Sequence, residues 1–313
     1  MAASPTLTSN YNGDVLDYIV EEAVVGNEAF DKGSLYVIDG VQNKISVPKM
    51  VSSANPINRR EAMPTTKSAT ITWSEATITP VEMQIYVNDI NPRIFEAAWR
   101  EFQPKGSLPD KVMDPRVQKV FADVVLRQAK KQMGKLIFQG DTTLASTDPM
   151  SFFNGFATLS AASSTNIDVA NIGPVNQATI IAILEAVIAS IPDALFDDPD
   201  FKIHMSTAAF RAYQAADRAL LTKGSPTYGA AAEEYGGKKI VYYSQFPTNV
   251  IIGCVANTGT ESNFYAAVDK VNDMDNFKIE RLRPEGELFF LLAKFKMAVG
   301  FRLDSESVYY IGS

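Results

Sequence analysis

The chain has 313 residues, 46% of them apolar and 21% charged, the balance of a folded globular protein long enough for one large domain or two modest ones. A net charge of −7 argues against an extended phosphate-binding surface, and no apolar run approaches the ~20 residues that a membrane span needs. With one histidine, His204, and one cysteine, Cys254, the chain can build neither a His-rich metal site nor an internal disulfide.

The opening MAASPTLTSNYNGD lacks a basic start and an apolar core, so no secretory signal is read there, and an intracellular or virion location is expected. Residues 1–43 read as an extended arm punctuated by Gly13, Gly26, Gly33 and Gly40, with a helical pattern only over 15–25. A β-rich region follows. KISVPKM (44–50) alternates around Ile45 and Val47, and a polar connection carrying Arg59, Arg60 and Lys67 leads into Thr70. Ile71 and Trp73 then share one face, Ala76 and Ile78 take the opposite phase, and Val81, Met83, Ile85 and Val87 return to the first. Such a phase change marks a bulge, a bend or a move between sheets, and Pro80 sits at the second switch. A protruding hairpin is predicted, with a tip that has no core partner in its own chain.

PRIFEAAWREF (92–102) predicts a short helix. Asp114-Pro115 then opens the longest element, an apolar-striped helix over about 115–139, roughly 37 Å long at 1.5 Å per residue. Its cations Arg127, Lys130, Lys131 and Lys135 lie in the second half, where they suit the helix dipole. Gly140 is placed to stop it in a left-handed turn. Next come Asp141 and Asp148, then Phe153-Asn154-Gly155-Phe156. Beyond a polar loop the texture becomes α/β. A helix is expected over 175–191, a strand over 201–205, a helix capped by Ser206 or Thr207, a surface loop over 218–237, and strands over 239–243, 249–255 and 263–268. Two antiparallel strands, 277–283 and 287–303, close the chain.

Catalytic readings fare poorly against these elements. Gly134-Lys135 lies inside a helix, where its amides cannot face a phosphate as a P-loop requires. Asp141 and Asp148, or Asp197, Asp198 and Asp200, lack the fixed offsets and closing Glu of a calcium loop, and Asp beside proline commonly holds its own turn. No G-x-S-x-G exists, and His204 falls in a strand as a satisfied residue. Cys254 reads as a buried small hydrophobe, and the basic pairs Arg59-Arg60, Lys130-Lys131 and Lys238-Lys239 read as solvated surface. The expectation is no enzyme, no cofactor and no metal.

The order of elements resembles the major capsid proteins of tailed bacteriophages, the Johnson fold (the Hong Kong phage type capsid fold) shared with encapsulins. Three stretches carry the likeness. One is the helix ending LIFQGD and running into Phe153-Asn154-Gly155-Phe156. The second is KIHMSTAAFRAYQAAD, and the third is GGKKIVYYSQFPTNVIIGCV with the strand pair after it. The resemblance implies an α+β fold with an N-terminal arm (1–43), an extended E-loop hairpin (44–80), a peripheral domain (81–170 and 271–313) built on the spine helix, and an axial α/β domain (171–270). It implies a shell subunit that forms hexamers and pentamers around double-stranded DNA without sequence-specific contact. Inter-subunit contacts are expected at Ile71, Trp73, Arg59, Arg60 and Lys67, while Gly140, Asp141, Asp148 and Gly155 stop the helix and hold turns. Some relatives carry a charged N-terminal scaffolding segment; none is read here, so a mature product or a separate scaffolding protein is expected, with a portal and decoration proteins as further partners. Some also join subunits by a Lys–Asn isopeptide bond; Lys67 is placed near the hairpin, but nothing in the sequence shows such a bond. The alternatives are an encapsulin-like compartment shell and a hydrolase using Asp141 or Asp148.

Overall fold

The computed structural model describes residues 28–53, 70–90, 115–221, 233–269, 277–281 and 288–313. The predicted helices over 15–25 and 92–102, the hairpin tip, and Arg59, Arg60 and Lys67 lie outside them.

Two sheets and the spine helix organise the described residues. The first sheet has five strands: β1 (Tyr36–Asp39), β4 (Val81–Ile90), β10 (Phe264–Asp269), β11 (Phe277–Arg281) and β12 (Phe289–Phe301). The last of these holds the sheet together, pairing antiparallel with β10, β11 and β4. The second sheet has six strands in the order β5 (Ile167–Asp168), β13 (Val308–Ile311), β9 (Val250–Val255), β6 (Phe201–Ser206), β8 (Lys238–Tyr243) and β7 (Glu234–Tyr235).

Strand alternation assigns the faces. Val241, Tyr243, Ile252, Cys254 and Tyr309 project from the six-stranded sheet into one core. There they meet Phe264, Ala266, Val268, Phe295, Met297, Val299 and Phe301 of the five-stranded sheet. The spine helix α2 (Pro115–Gln139), numbered after the short α1 (Glu28–Asp31), places Met133, Leu136, Ile137 and Phe138 in the same core. The other face of the six-stranded sheet, through Ile203, Met205, Ile240, Ile251, Val255, Val308 and Tyr310, covers a second core. That core is closed by α4 (Ile180–Ala189) and α6 (Thr207–Leu221), α3 being Phe156–Ala162 and α5 the single turn Asp193–Phe196. Each fully buried Leu, Ile or Phe contributes about 1.5–3 kcal/mol of transfer free energy, so the two cores dominate stability.

The structure departs from the sequence reading in four places. Residues 28–43 are not a coreless arm: Ala29, Leu35 and Val41 are buried, and β1 pairs parallel with β10. The helix expected from 175 begins at Ile180, because the Asn176 side chain accepts from the amides of Ala178 (2.9 Å) and Thr179 (3.2 Å) and holds a turn instead. Of the loop expected over 218–237, residues 218–221 extend α6. Residues 234–243 form a tight hairpin across Gly236 and Gly237, both at positive φ as a primed turn demands. Finally, the sheets do not divide at 270. Residues 264–269 belong to the five-stranded sheet, and 308–311 cross into the six-stranded one, where Tyr309 still faces the core that β12 lines while Val308 and Tyr310 face the other.

Candidate functional site

Two regions carry the predicted functional residues. The first is the hairpin of β2 (Ile45–Ser53) and β3 (Thr70–Ile78), a separate two-stranded antiparallel sheet in register from Ile45 opposite Ile78 to Ser53 opposite Thr70. At Pro80 the chain leaves this ribbon, and β4 joins the five-stranded sheet, so the phase change is a move between sheets. The base of the ribbon is anchored: Val47 and Ile78 pack with Val41 on Tyr265, Ala267 and Ala298. Gly300 gives Ile78 room, since a Cβ there would stand 2.8 Å from its Cγ1. Farther out the anchoring stops. Ile71 is 57% exposed and Trp73 67%, and Thr72 between them is exposed as well, so β3 is open on both faces. A two-stranded ribbon with large apolar side chains in water is unstable alone and offers unpaired strand edges. Tyr86 on β4, 49% exposed with its ring 6.2 Å from that of Phe290, extends the open surface, and sequence alternation alone did not single it out.

The second region is the joint at the end of the spine helix. The helix closes with the Gly140 amide donating to Leu136 O (3.0 Å). Gly140 is not left-handed, since it is not among the glycines at positive φ. It is glycine because backbone passes against backbone: a Cβ would stand 2.7 Å from Leu136 O and would also meet Phe153 O. Gly155 is its counterpart, where a Cβ would stand 2.6 Å from Phe138 C and 2.7 Å from Gly140 N. The Gly155 amide donates to Gly140 O (2.9 Å), which also accepts from the Thr158 hydroxyl (2.6 Å). Asn154 Oδ1 accepts from both the backbone amide and the hydroxyl of Thr142, each at 2.9 Å. Below, Phe138 meets Tyr243 and Phe246 at centroid distances of 4.8 and 4.9 Å, and Gln139 Nε2 donates to Gln245 O (2.6 Å).

Both aspartates are occupied locally. Asp141 Oδ1 accepts from the Thr143 amide (2.8 Å) and hydroxyl (2.7 Å), and that hydroxyl first, then that amide, hold its carboxyl below the usual range. Asp148 Oδ1 accepts from the Met150 amide (2.8 Å). Asp198 Oδ1 accepts from the Asp200 amide (2.8 Å), and Asp200 Oδ2 from the Asn257 side chain (2.9 Å). Among the described residues no three His, Cys, Asp or Glu side chains converge as a metal would need. His204 is fully buried, with Nδ1 3.0 Å from the Tyr243 hydroxyl, while Nε2 has no partner among the described residues, so only one ring nitrogen is satisfied there. Burial pushes its pKa down to about 3 and pushes the Cys254 thiol up, which leaves a neutral imidazole and an inert thiol.

The N-terminal side is pinned beside the joint. Glu28 Oε2 accepts from the Ser244 amide (2.7 Å), and the Lys32 ammonium donates to Tyr242 O while lying 4.2 Å from the centre of that ring. Burial lowers the Lys32 pKa against the opposing pull of Glu28.

No family model matches the sequence, and no curated protein does. The fold, by contrast, is similar to solved capsid structures along nearly the whole chain. A chain of the satellite phage P4 procapsid that includes the size determination (Sid) protein aligns with TM-score 0.56 at 9% identity, over 94% of this chain and 98% of that one. The capsid of an empty GTA particle gives 0.57 at 12% identity, over 100% and 95%. The capsid of Myoviridae phage XM1 gives 0.54 at 10% identity, over 100% and 96%. The chain has the tailed-phage capsid fold.

Proposed function

We propose that this chain, having that fold, is a major capsid protein that assembles as hexamers and pentamers into an icosahedral head enclosing double-stranded DNA. The single observation that carries the proposal is the ribbon anchored at Val47 and Ile78 and open on both faces at Ile71 and Trp73. An exposed apolar surface of that kind suits burial against another molecule, and in a symmetric shell the other molecule is a copy. On this reading the β2–β3 ribbon is the E-loop and the spine helix with the five-stranded sheet is the peripheral domain. The six-stranded sheet with α4 and α6 is the axial domain. Arg59, Arg60 and Lys67 join Ile71 and Trp73 at the contact. Gly140, Asp141, Asp148 and Gly155 keep the joint rigid rather than react. A separate scaffolding protein, a portal and decoration proteins are the expected partners, and the assembled protein belongs to the virion.

Negative-stain microscopy of the purified protein, alone and with its scaffolding partner, tests this. Closed shells or rings of five and six are expected, with nuclease-resistant DNA in particles from infected cells. Persistent monomers under both conditions would overturn it. Deleting residues 55–66 should leave a folded subunit that does not assemble, and normal shells from that variant would sink the E-loop assignment.

A further inference from the structure

Charge is unevenly spread along this acidic chain. The spine helix carries Arg116, Lys119, Arg127, Lys130, Lys131 and Lys135 against one acid, Asp123. The protein as a whole has 36 acidic residues to 29 basic ones, so the helix reverses the balance of the molecule. Arg127, Lys131 and Lys135 are exposed. They recur every fourth residue, about 6 Å apart, within an arc of about 80° on the side away from the buried Met133, Leu136 and Ile137. Gln128 and Gln132, also exposed, border the strip, and no carboxylate follows on the helix after Asp123.

A strip of this kind is matched by a line of negative charge. Over the about 12 Å from Arg127 to Lys135, duplex DNA presents roughly seven phosphate charges, one per ~1.7 Å of axis. An extended polypeptide offers at most one per ~3.4 Å, even where every residue is acidic. Duplex is therefore the denser partner, and with so many phosphates in reach the strip needs no register with the bases. The glutamine amides supply further donors for phosphate oxygens. Resting on the shell reading above, we propose that the Arg127–Lys131–Lys135 strip of the spine helix contacts the phosphate backbone of the enclosed double-stranded DNA.

The contact is weak in any one copy. Three neutralised phosphates give a slope of log affinity against log salt of about −2.7, and the acidity of the rest of the subunit holds DNA off its other surfaces. The many copies of a shell share the duplex through repeated loose contacts, which hold it near the wall and still let it slide.

The test uses the purified full chain, unassembled, with a fluorescent duplex of about 20 base pairs. Shell formation is scored separately by microscopy, so this contact and the shell reading can fail independently. Binding followed by anisotropy should weaken about 40-fold between roughly 50 and 200 mM salt. K131A/K135A should bind at least tenfold more weakly at the lower salt, with a slope of about −1. K44A/R211A, which removes the same charge from exposed residues elsewhere, should match wild type. In acetylation footprinting, duplex should slow modification of Lys131 and Lys135 at least threefold and leave the exposed Lys44 and Lys239 unchanged. An equal loss in K44A/R211A would overturn the proposal, since net charge alone would then explain binding. So would unprotected Lys131 and Lys135. Equal protection by polyglutamate at the same charge concentration would overturn it too, by marking the strip as a dock for an acidic polypeptide.

Discussion

The joint and the ribbon are opposite solutions to the same problem of exposed backbone. Around Gly140 and Gly155 the polar groups that hold the turn find partners in their own chain, and the aromatic side chains beneath close the gap. Along Ile71–Trp73 apolar side chains stand in water beside a two-stranded ladder. A joint completed from within contributes to folding; a ribbon left incomplete contributes to association. Substitutions should therefore separate cleanly into those that destroy the subunit and those that spare it while abolishing assembly.

The largest effect is expected at the joint. In Gly155→Val the new carbon meets the backbone atoms Phe138 C, Gly140 N and Gln139 N at 2.6–2.8 Å, and none of them can rotate away. Loss of more than about 4 kcal/mol, or no folded protein, should appear in urea denaturation. A stable Gly155→Val subunit would break the comparison. The next effect concerns the closed interior. His204 stays neutral in the fold down to about pH 3 while the unfolded chain takes up a proton near pH 6.5. Its contribution is full above pH 6.5 and is lost as pH falls toward 3, at about 1.4 kcal/mol per pH unit. Between pH 6 and 4 the stability of His204→Leu should fall less steeply than wild type by that slope, and parallel curves would show that the imidazole is not sequestered. Thr158→Val removes one of two donors to Gly140 O and should cost about 1 kcal/mol in the same urea measurement. Smallest for the subunit is Trp73→Ala, expected within about 0.5 kcal/mol of wild type by denaturation, yet with shell yield by light scattering reduced at least tenfold. A large loss of subunit stability would mean that the ribbon is covered by its own chain.

Much of this was legible in the sequence because it rests on period and punctuation. The phase flip at Pro80 marks the passage from ribbon to sheet, and the apolar stripe between Pro115 and Gln139 gives the helix its observed limits. Gly140 was found for the wrong reason. A lone sequence shows that a glycine stands where a helix stops, but not that another glycine fifteen residues later will press against it. The same limit hid the burial of Ala29 and Leu35, since short segments show no period of their own and are placed by the long-range pairing of β1 with β10. It also concealed the second nitrogen of His204, because an unfilled hydrogen bond is a property of the surroundings and not of the residue.

Val308–Ile311 is the strand between β5 and β9, and its alternate residues serve different interiors: Tyr309 fills one, Val308 and Tyr310 the other. Neither core can close fully until those residues are in place, so one short strand ties the completion of the two interiors together, and damage to it is felt in both.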